Sequence, residues 1–290
     1  SDVQTLGLLA DSVDFATARQ GNPGIRFSGP GTIAARALEP EYVTISDDSS
    51  TAYVSLQENN AIVEVDLVEG AIAGAFALGF KDHRLPGNEL DVSNRDDVIN
   101  IRNWPVYGVY MPDAIATYTV NGVPYVVTAN EGDSRDYAAH VDELRIKDIG
   151  GTNSLSLPQA DVLTFGADYN QDGVVDASDF LEDEALGRLK VITDLGVTGA
   201  NCDTTGTAPQ NCIYEALYAF GARSFSIFNA ETQELVFDSG NDFERITAQR
   251  FPENFNAQND SNDFDSRSDD KGPEPEGVEL AVIDGRTYAF

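Results

Sequence analysis

Short runs rich in β-branched and aromatic residues, separated by tight polar turns, recur along this chain. The first set is Glu41 to Ser46, Thr51 to Leu56, Ala61 to Leu67 and Ile72 to Leu78. Between the first two lies Asp47-Asp48-Ser49-Ser50, and Gln57-Glu58-Asn59-Asn60 separates the next pair. Four short strands on polar turns predict one four-stranded blade of a β-propeller. A second set opens at Ala114 to Val120, turns at Asn121-Gly122 and returns through Val123 to Thr128. Asn-Gly between β-rich runs is a strong hairpin signal, because both residues tolerate positive φ. A third set shows Leu217 to Phe220, Ser224 to Asn229 and Glu234 to Phe237. A fourth runs from Gly277 to Ile283, turns at Asp284-Gly285 and enters Thr287 to Phe290. The expectation is an all-β chain of four-stranded blades with long loop insertions. Residues 1–290 read as part of a propeller that continues past the broken last hairpin.

A proline followed by an acid opens three of the sets, at Pro40-Glu41, Pro112-Asp113 and Pro275-Glu276. The first strand of a propeller blade lines the central channel, so Glu41, Asp113 and Glu276 are expected at one channel mouth. A further polar group, Asn130-Glu131-Gly132-Asp133, follows the second hairpin and adds Glu131 to the candidates. The plainer alternative is solvated acids at strand starts.

Long insertions separate the sets, at Gly79 to Met111, Asp133 to Ser156 and Asp161 to Ala216. The last, residues 161–216, carries Asp168-Tyr169-Asn170-Gln171-Asp172-Gly173-Val174-Val175-Asp176-Ala177-Ser178-Asp179. Oxygen-bearing side chains stand at loop positions 1, 3, 5, 9 and 12, with glycine at 6. This is the spacing of an EF-hand-type calcium loop, similar in its final aspartate to dockerin loops. Calcium takes six to eight oxygen ligands. The expected set is Asp168, Asn170, Asp172, the Val174 carbonyl, Asp176 and Asp179, with Val175 turned inward as an anchor. Phe180 to Leu186 reads as a short helix after the loop, and Asp161 to Phe165 as a strand before it. Asn254 to Gly272 is acidic and rich in Asn and Ser, and reads as a loop that a cation would order.

Composition narrows the function. The chain has 290 residues, 49 acidic against 18 basic, for a formal charge of -31. Such a field disfavours nucleic acid and anionic membrane surfaces and favours cations. A hydrophobic content of 41%, with 11 Tyr and 15 Phe, is enough for a large core. No apolar run is long enough to span a membrane. Cys202 and Cys212 share a polar segment without zinc or redox spacing, so a disulfide and an exported, extracellular setting are expected. Lys81-Asp82-His83-Arg84 is a compact basic spot. His83 there reads as a metal or phosphate contact, or as a solvated loop histidine.

Several stretches resemble the choice-of-anchor I family. They include Tyr53 to Ala61, Leu78 to His83, Asn103 to Tyr107, Thr128 to Tyr137, Phe220 to Ser226 and Ser268 to Gly277. The resemblance covers nearly the whole chain. It implies an exported bacterial β-propeller, often held at the cell surface through varied C-terminal anchors. Relatives carry labels of two kinds, alkaline phosphatase or phytase-like, and surface glycoprotein.

Two functions follow as expectations. One is an extracellular, calcium-binding surface or matrix module whose partner is a glycan or a surface protein. No GxSxG, HExxH or P-loop opposes it. The other is a calcium-dependent phosphomonoester hydrolase similar to β-propeller phytases. There Glu41, Glu58, Asp113, Glu131, Asp133, Glu274 and Glu276 would hold the metals. Lys81, His83, Arg135 and Arg223 would contact the substrate phosphate.

Overall fold

The computed structural model describes residues 25–29 and 37–290. The first set of runs forms β1 (Pro40–Ile45), β2 (Thr51–Leu56), β3 (Ala61–Asp66) and β4 (Ala71–Ala77), an antiparallel sheet in chain order. Aspartates close two of its three turns. Asp48 Oδ1 accepts from Ser46 Oγ at 2.7 Å and from Ser50 N at 3.0 Å. Asp66 Oδ1 accepts from the amides of Val68 and Glu69 at 2.8 and 2.9 Å. Such side-chain bonds satisfy backbone donors that the sheet ladder leaves over.

After β5 (Phe80–Asp82) and β6 (Val106–Val109), the second hairpin is β7 (Ile115–Val120) and β8 (Val123–Ala129). Asn121 and Gly122 both have positive φ, 53° and 85°, as a two-residue hairpin turn requires. The chain then leaves for almost a hundred residues. It passes a small ribbon, β9 (Asp136–Tyr137) with β10 (His140–Val141), and then β11 (Glu143–Arg145). β12 (Ser154–Leu155), β14 (Val197–Thr198) and β15 (Ile213–Tyr214) form a minor sheet around β13 (Lys190–Ile192) in sequence. β16 (Leu217–Phe220) follows, and then β17 (Phe225–Asn229) and β18 (Leu235–Asp238).

The expected third set is not a separate sheet. β17 pairs antiparallel with β8, Ser226 opposite Thr128, and β18 pairs with β17. These strands complete the second four-stranded sheet, β18-β17-β8-β7. Burial explains the pairing. Ile115, Val126 and Phe228 share one core cluster with Tyr53, Ile62 and Phe76 of the first sheet. Asn130 locks the junction, donating from Nδ2 to Ser226 Oγ at 2.7 Å and to Ser224 Oγ at 3.2 Å. β16 instead runs parallel to β6 in a five-stranded sheet, β11-β13-β16-β6-β5. The insertions therefore contribute strands of their own. A second cluster, centred on Trp104, Phe180, Leu186, Val191 and Tyr214, packs beside this sheet.

Two further expectations are corrected. Residues 161–165 are not a strand but part of helix α1 (Gln159–Phe165), which buries Val162. Pro158 precedes it and Asp161 sits in its first turn, both favourable at a helix start. No regular helix covers residues 180–186. A short 3-10 turn, Ala177–Leu181, is capped by Asp176 and Asp179, and the chain then turns again. Gly187 permits that turn, since a Cβ there would lie 2.1 Å from the Leu181 carbonyl. Helix α2 (Asp242–Arg250) leads into the Asn-rich loop, and the chain ends in the hairpin of β19 (Leu280–Ile283) and β20 (Arg286–Ala289).

The first strands of three units are neighbours. Thr117 Oγ1 on β7 donates to the Ile45 carbonyl on β1 at 3.1 Å. The Ala114 amide before β7 donates to the Glu276 carbonyl before β19 at 3.2 Å. Cys202 and Cys212 form a disulfide. Cys212 is fully buried in the Trp104 cluster, so the bridge ties its loop to the core as well as closing it.

Candidate functional site

Three strand starts converge, so their acids do too. Asp113 stands half-buried just before β7. Its carboxyl is pushed up to about 6, first by burial and then by the charges of Glu131, Glu41 and Glu276. Loss of solvation and like-charge crowding both disfavour the carboxylate. The charges of the other three candidate acids thus reach Asp113. The Ser55 hydroxyl donates to the Asp113 carbonyl at 3.0 Å. Gln57 Nε2 donates to Glu131 Oε2 at 2.9 Å, so the polar group after β2 supports the one after β8.

The counter-charge is Lys271, which was not among the expected contacts. Its Nζ lies 3.4 Å from Glu131, 3.5 Å from Glu274 and 3.7 Å from Asp133. Arg267 joins Glu274 and Asp270 beside it. One lysine among so many acids was the available signal in sequence, but nothing local placed it against Glu131.

The expected basic contacts lie elsewhere. Lys81 is buried, paired with Asp238 at 3.0 Å and donating to the Ala222 carbonyl at 3.0 Å. His83 is buried with Nδ1 2.6 Å from the Asn88 carbonyl. Burial, and next the Lys81 charge, push its pKa down to about 3. It is therefore a neutral imidazole at physiological pH. Gly108 makes room for it, since a Cβ there would lie 2.7 Å from Nε2. Arg135 binds Glu39 at 2.9 Å and the Ala37 carbonyl at 2.9 Å. Arg223 is buried against Glu244 at 2.6 Å. Among the described residues, none of these four pairs with Glu41, Asp113, Glu131 or Glu276.

A cleft of about 770 Å³ opens beside these acids, with Glu274 and Glu276 in its lining. It runs from the end of α2 to Glu276, and its wall is the loop expected to need a cation. Amide side chains are the commonest polar groups in the lining, among them Asn254, Asn256, Gln258 and Asn262, beside the carboxylates of Asp260, Glu274 and Glu276. Phe251, 64% exposed, presents a ring at one end. Arg267 and Glu274 close the side toward Lys271. Each amide offers both donors and an acceptor, so this wall suits a neutral, hydroxyl-rich ligand.

The 168–179 loop is wound around its own carboxylates. The Gly173 amide donates to Asp168 at 3.1 Å, and the Asn170 and Asp176 amides donate to Asp179 at 3.2 and 2.8 Å. Gly173 has φ +88°, the turn the spacing requires. Val175 packs on the Trp104 cluster, whereas Val174 is exposed. Helix α1 ends just before the loop, and the 3-10 turn Ala177–Leu181 begins within it, so a helix stands on one side of the loop only.

The described residues form an all-β domain of several sheets in which the strand starts before β7 and β19 are hydrogen-bonded neighbours. The chain belongs to the choice-of-anchor I family, whose domain model matches residues 7–290. It is 28% identical over 299 residues to a mesenchyme-specific cell surface glycoprotein of Strongylocentrotus purpuratus, covering 94% of this chain and 35% of that protein. It is 34% identical over 113 residues to Gigasin-3a of Magallana gigas, covering 37% of this chain and 36% of that protein. The matches span about a third of the length of these relatives. No solved structure matches the chain. Among the described residues, no helix is long and apolar enough to cross a membrane.

Proposed function

We propose that the chain is the ligand-binding part of an exported, cell-surface or matrix protein, and that its cleft takes a neutral glycan. The observation that carries this reading is the amide-lined cleft ending on the acidic mouth. The name of the sea-urchin relative supports a surface location. The adjacent first strands β1, β7 and β19 support a propeller of which these residues are part. Calcium bound in the 168–179 loop would brace the insertion without touching the cleft, a structural role. The phosphomonoester hydrolase finds no supporting observation. The buried Lys81, His83 and Arg223 are spent on internal partners.

A glycan array probed with the 290-residue chain in calcium-containing buffer tests the reading. Binding to neutral sugars, lost in Phe251→Ala and Gln258→Ala, is the expected result. Glu41→Ala with Glu276→Ala should also weaken it while the fold stays intact. Retention of full binding by all three variants would move the site away from this cleft and mouth. Calcium-dependent release of phosphate from a phosphomonoester would favour the hydrolase instead.

A further inference from the structure

Beneath the cleft wall, three carboxylates from two distant segments meet. Asp91 and Asp96 come from the insertion between β5 and β6, and Asp265 from the loop after α2. Each offers an oxygen, and these oxygens lie within 4.8 Å of one another. Asp91 is fully buried and Asp265 is 3% exposed. No ion pair among the described residues involves any of the three. Nearby Arg223 directs its charge to Glu244 and its remaining donors to the Asp91, Ser268 and Asp270 carbonyls.

An independent observation points to a missing partner. Asp265 Oδ1 accepts from the Ser268 hydroxyl, but Oδ2 is buried with no hydrogen-bond partner among the described residues. Asn256, whose Nδ2 donates to the same Ser268 hydroxyl at 2.9 Å, also buries its Oδ1 without a partner. Buried polar oxygens are almost always satisfied, and an orphan carboxylate oxygen is costly. The donor set is oxygen only, which suits a hard cation. Two oxygens on opposite sides of a calcium ion lie about 4.6–5.2 Å apart, so the observed spread fits one ion.

We propose that Asp91, Asp96 and Asp265 form a calcium site that fastens the 254–272 loop, and with it the cleft wall, to the 91–100 segment. This site is separate from the 168–179 loop and does not depend on what the cleft binds. Burial, and then the charges of Glu244 and Asp96, push the Asp91 carboxyl up to about 7, and burial with the charges of Asp91, Asp96 and Glu244 pushes the Asp265 carboxyl up to about 8. A divalent ion would relieve that repulsion and give Asp265 Oδ2 a partner.

Calcium titration calorimetry on the whole chain separates the two sites. An Asp168→Asn/Asp172→Asn variant removes the EF-hand-like loop and should still bind one calcium ion. Adding Asp265→Asn should then weaken that binding roughly tenfold or more, and Asp96→Asn, half-exposed and tolerant of change, should do the same. Hydrogen exchange in residues 254–272 should slow on calcium addition in the loop variant and not in the variant that also carries Asp265→Asn. A loop variant that binds no calcium would overturn the proposal. So would unchanged affinity in both added variants, or exchange in 254–272 indifferent to calcium.

Discussion

Arg223 and Glu244 meet at 2.6 Å with their side chains only 3% and 1% exposed. Arg223 also donates to the Ser268 carbonyl at 2.7 Å and the Asp270 carbonyl at 3.1 Å. Glu244 Oε2 accepts from the Asp91 amide at 2.8 Å. One buried pair therefore joins α2, the 91–100 segment and the loop that walls the cleft.

Removing one partner of such a pair strands the other in a dry interior. Arg223→Ala should cost about 3–5 kcal/mol in urea unfolding. Arg223→Lys should recover only part of this, since an ammonium cannot span the same three carbonyls and a carboxylate.

Gly132 and Gly221 touch back to back beside Glu131. A Cβ on Gly132 would stand 2.1 Å from the Gly221 amide nitrogen, and Gly132 has φ +86°. Gly132→Ala should lose roughly 2–4 kcal/mol of stability. It should also displace Glu131, read out as a fall in the Asp113 pKa by carbonyl-carbon NMR.

Glu58 makes the stability depend on pH. Burial, with a further contribution from the Glu39 charge, raises its carboxyl from 4.5 to about 7. Below the ordinary value it is protonated in both folded and unfolded chains. Between about 4.5 and 7 the unfolded chain gives up this proton first, so this group lowers stability as pH rises, with the full loss above about 7. Glu58→Gln keeps the size and a donor but not the charge. It should gain roughly 1–3 kcal/mol at pH 8 and nothing at pH 4, measured by denaturant titration at both.

The Cys202–Cys212 bridge closes a short loop, with a sequence separation of 10. Cys202→Ser with Cys212→Ser should cost about 2–3 kcal/mol. Because Cys212 lies in the Trp104 cluster, the loss should include near-ultraviolet dichroism from that tryptophan. Native protein should show no alkylatable thiol by mass spectrometry.

What the sequence determined by itself is what rests on neighbours in the chain. The meander from Pro40 to Ala77, the Asn121-Gly122 hairpin and the winding of the 168–179 loop each follow from turn chemistry and side-chain spacing over a few residues. Even there, the 161–165 segment misled, because five residues with three apolar side chains suit a strand or a helix equally until Pro158 and the burial of Val162 decide. The tertiary structure alone decided what joins across long separations. Thr128 finds Ser226, β6 finds β16, Lys271 finds Glu131, and Asp265 finds Asp91 and Asp96. Such contacts leave no periodic trace in the chain. They are selected by which apolar faces can be buried together, and that balance is struck only when the whole domain has folded.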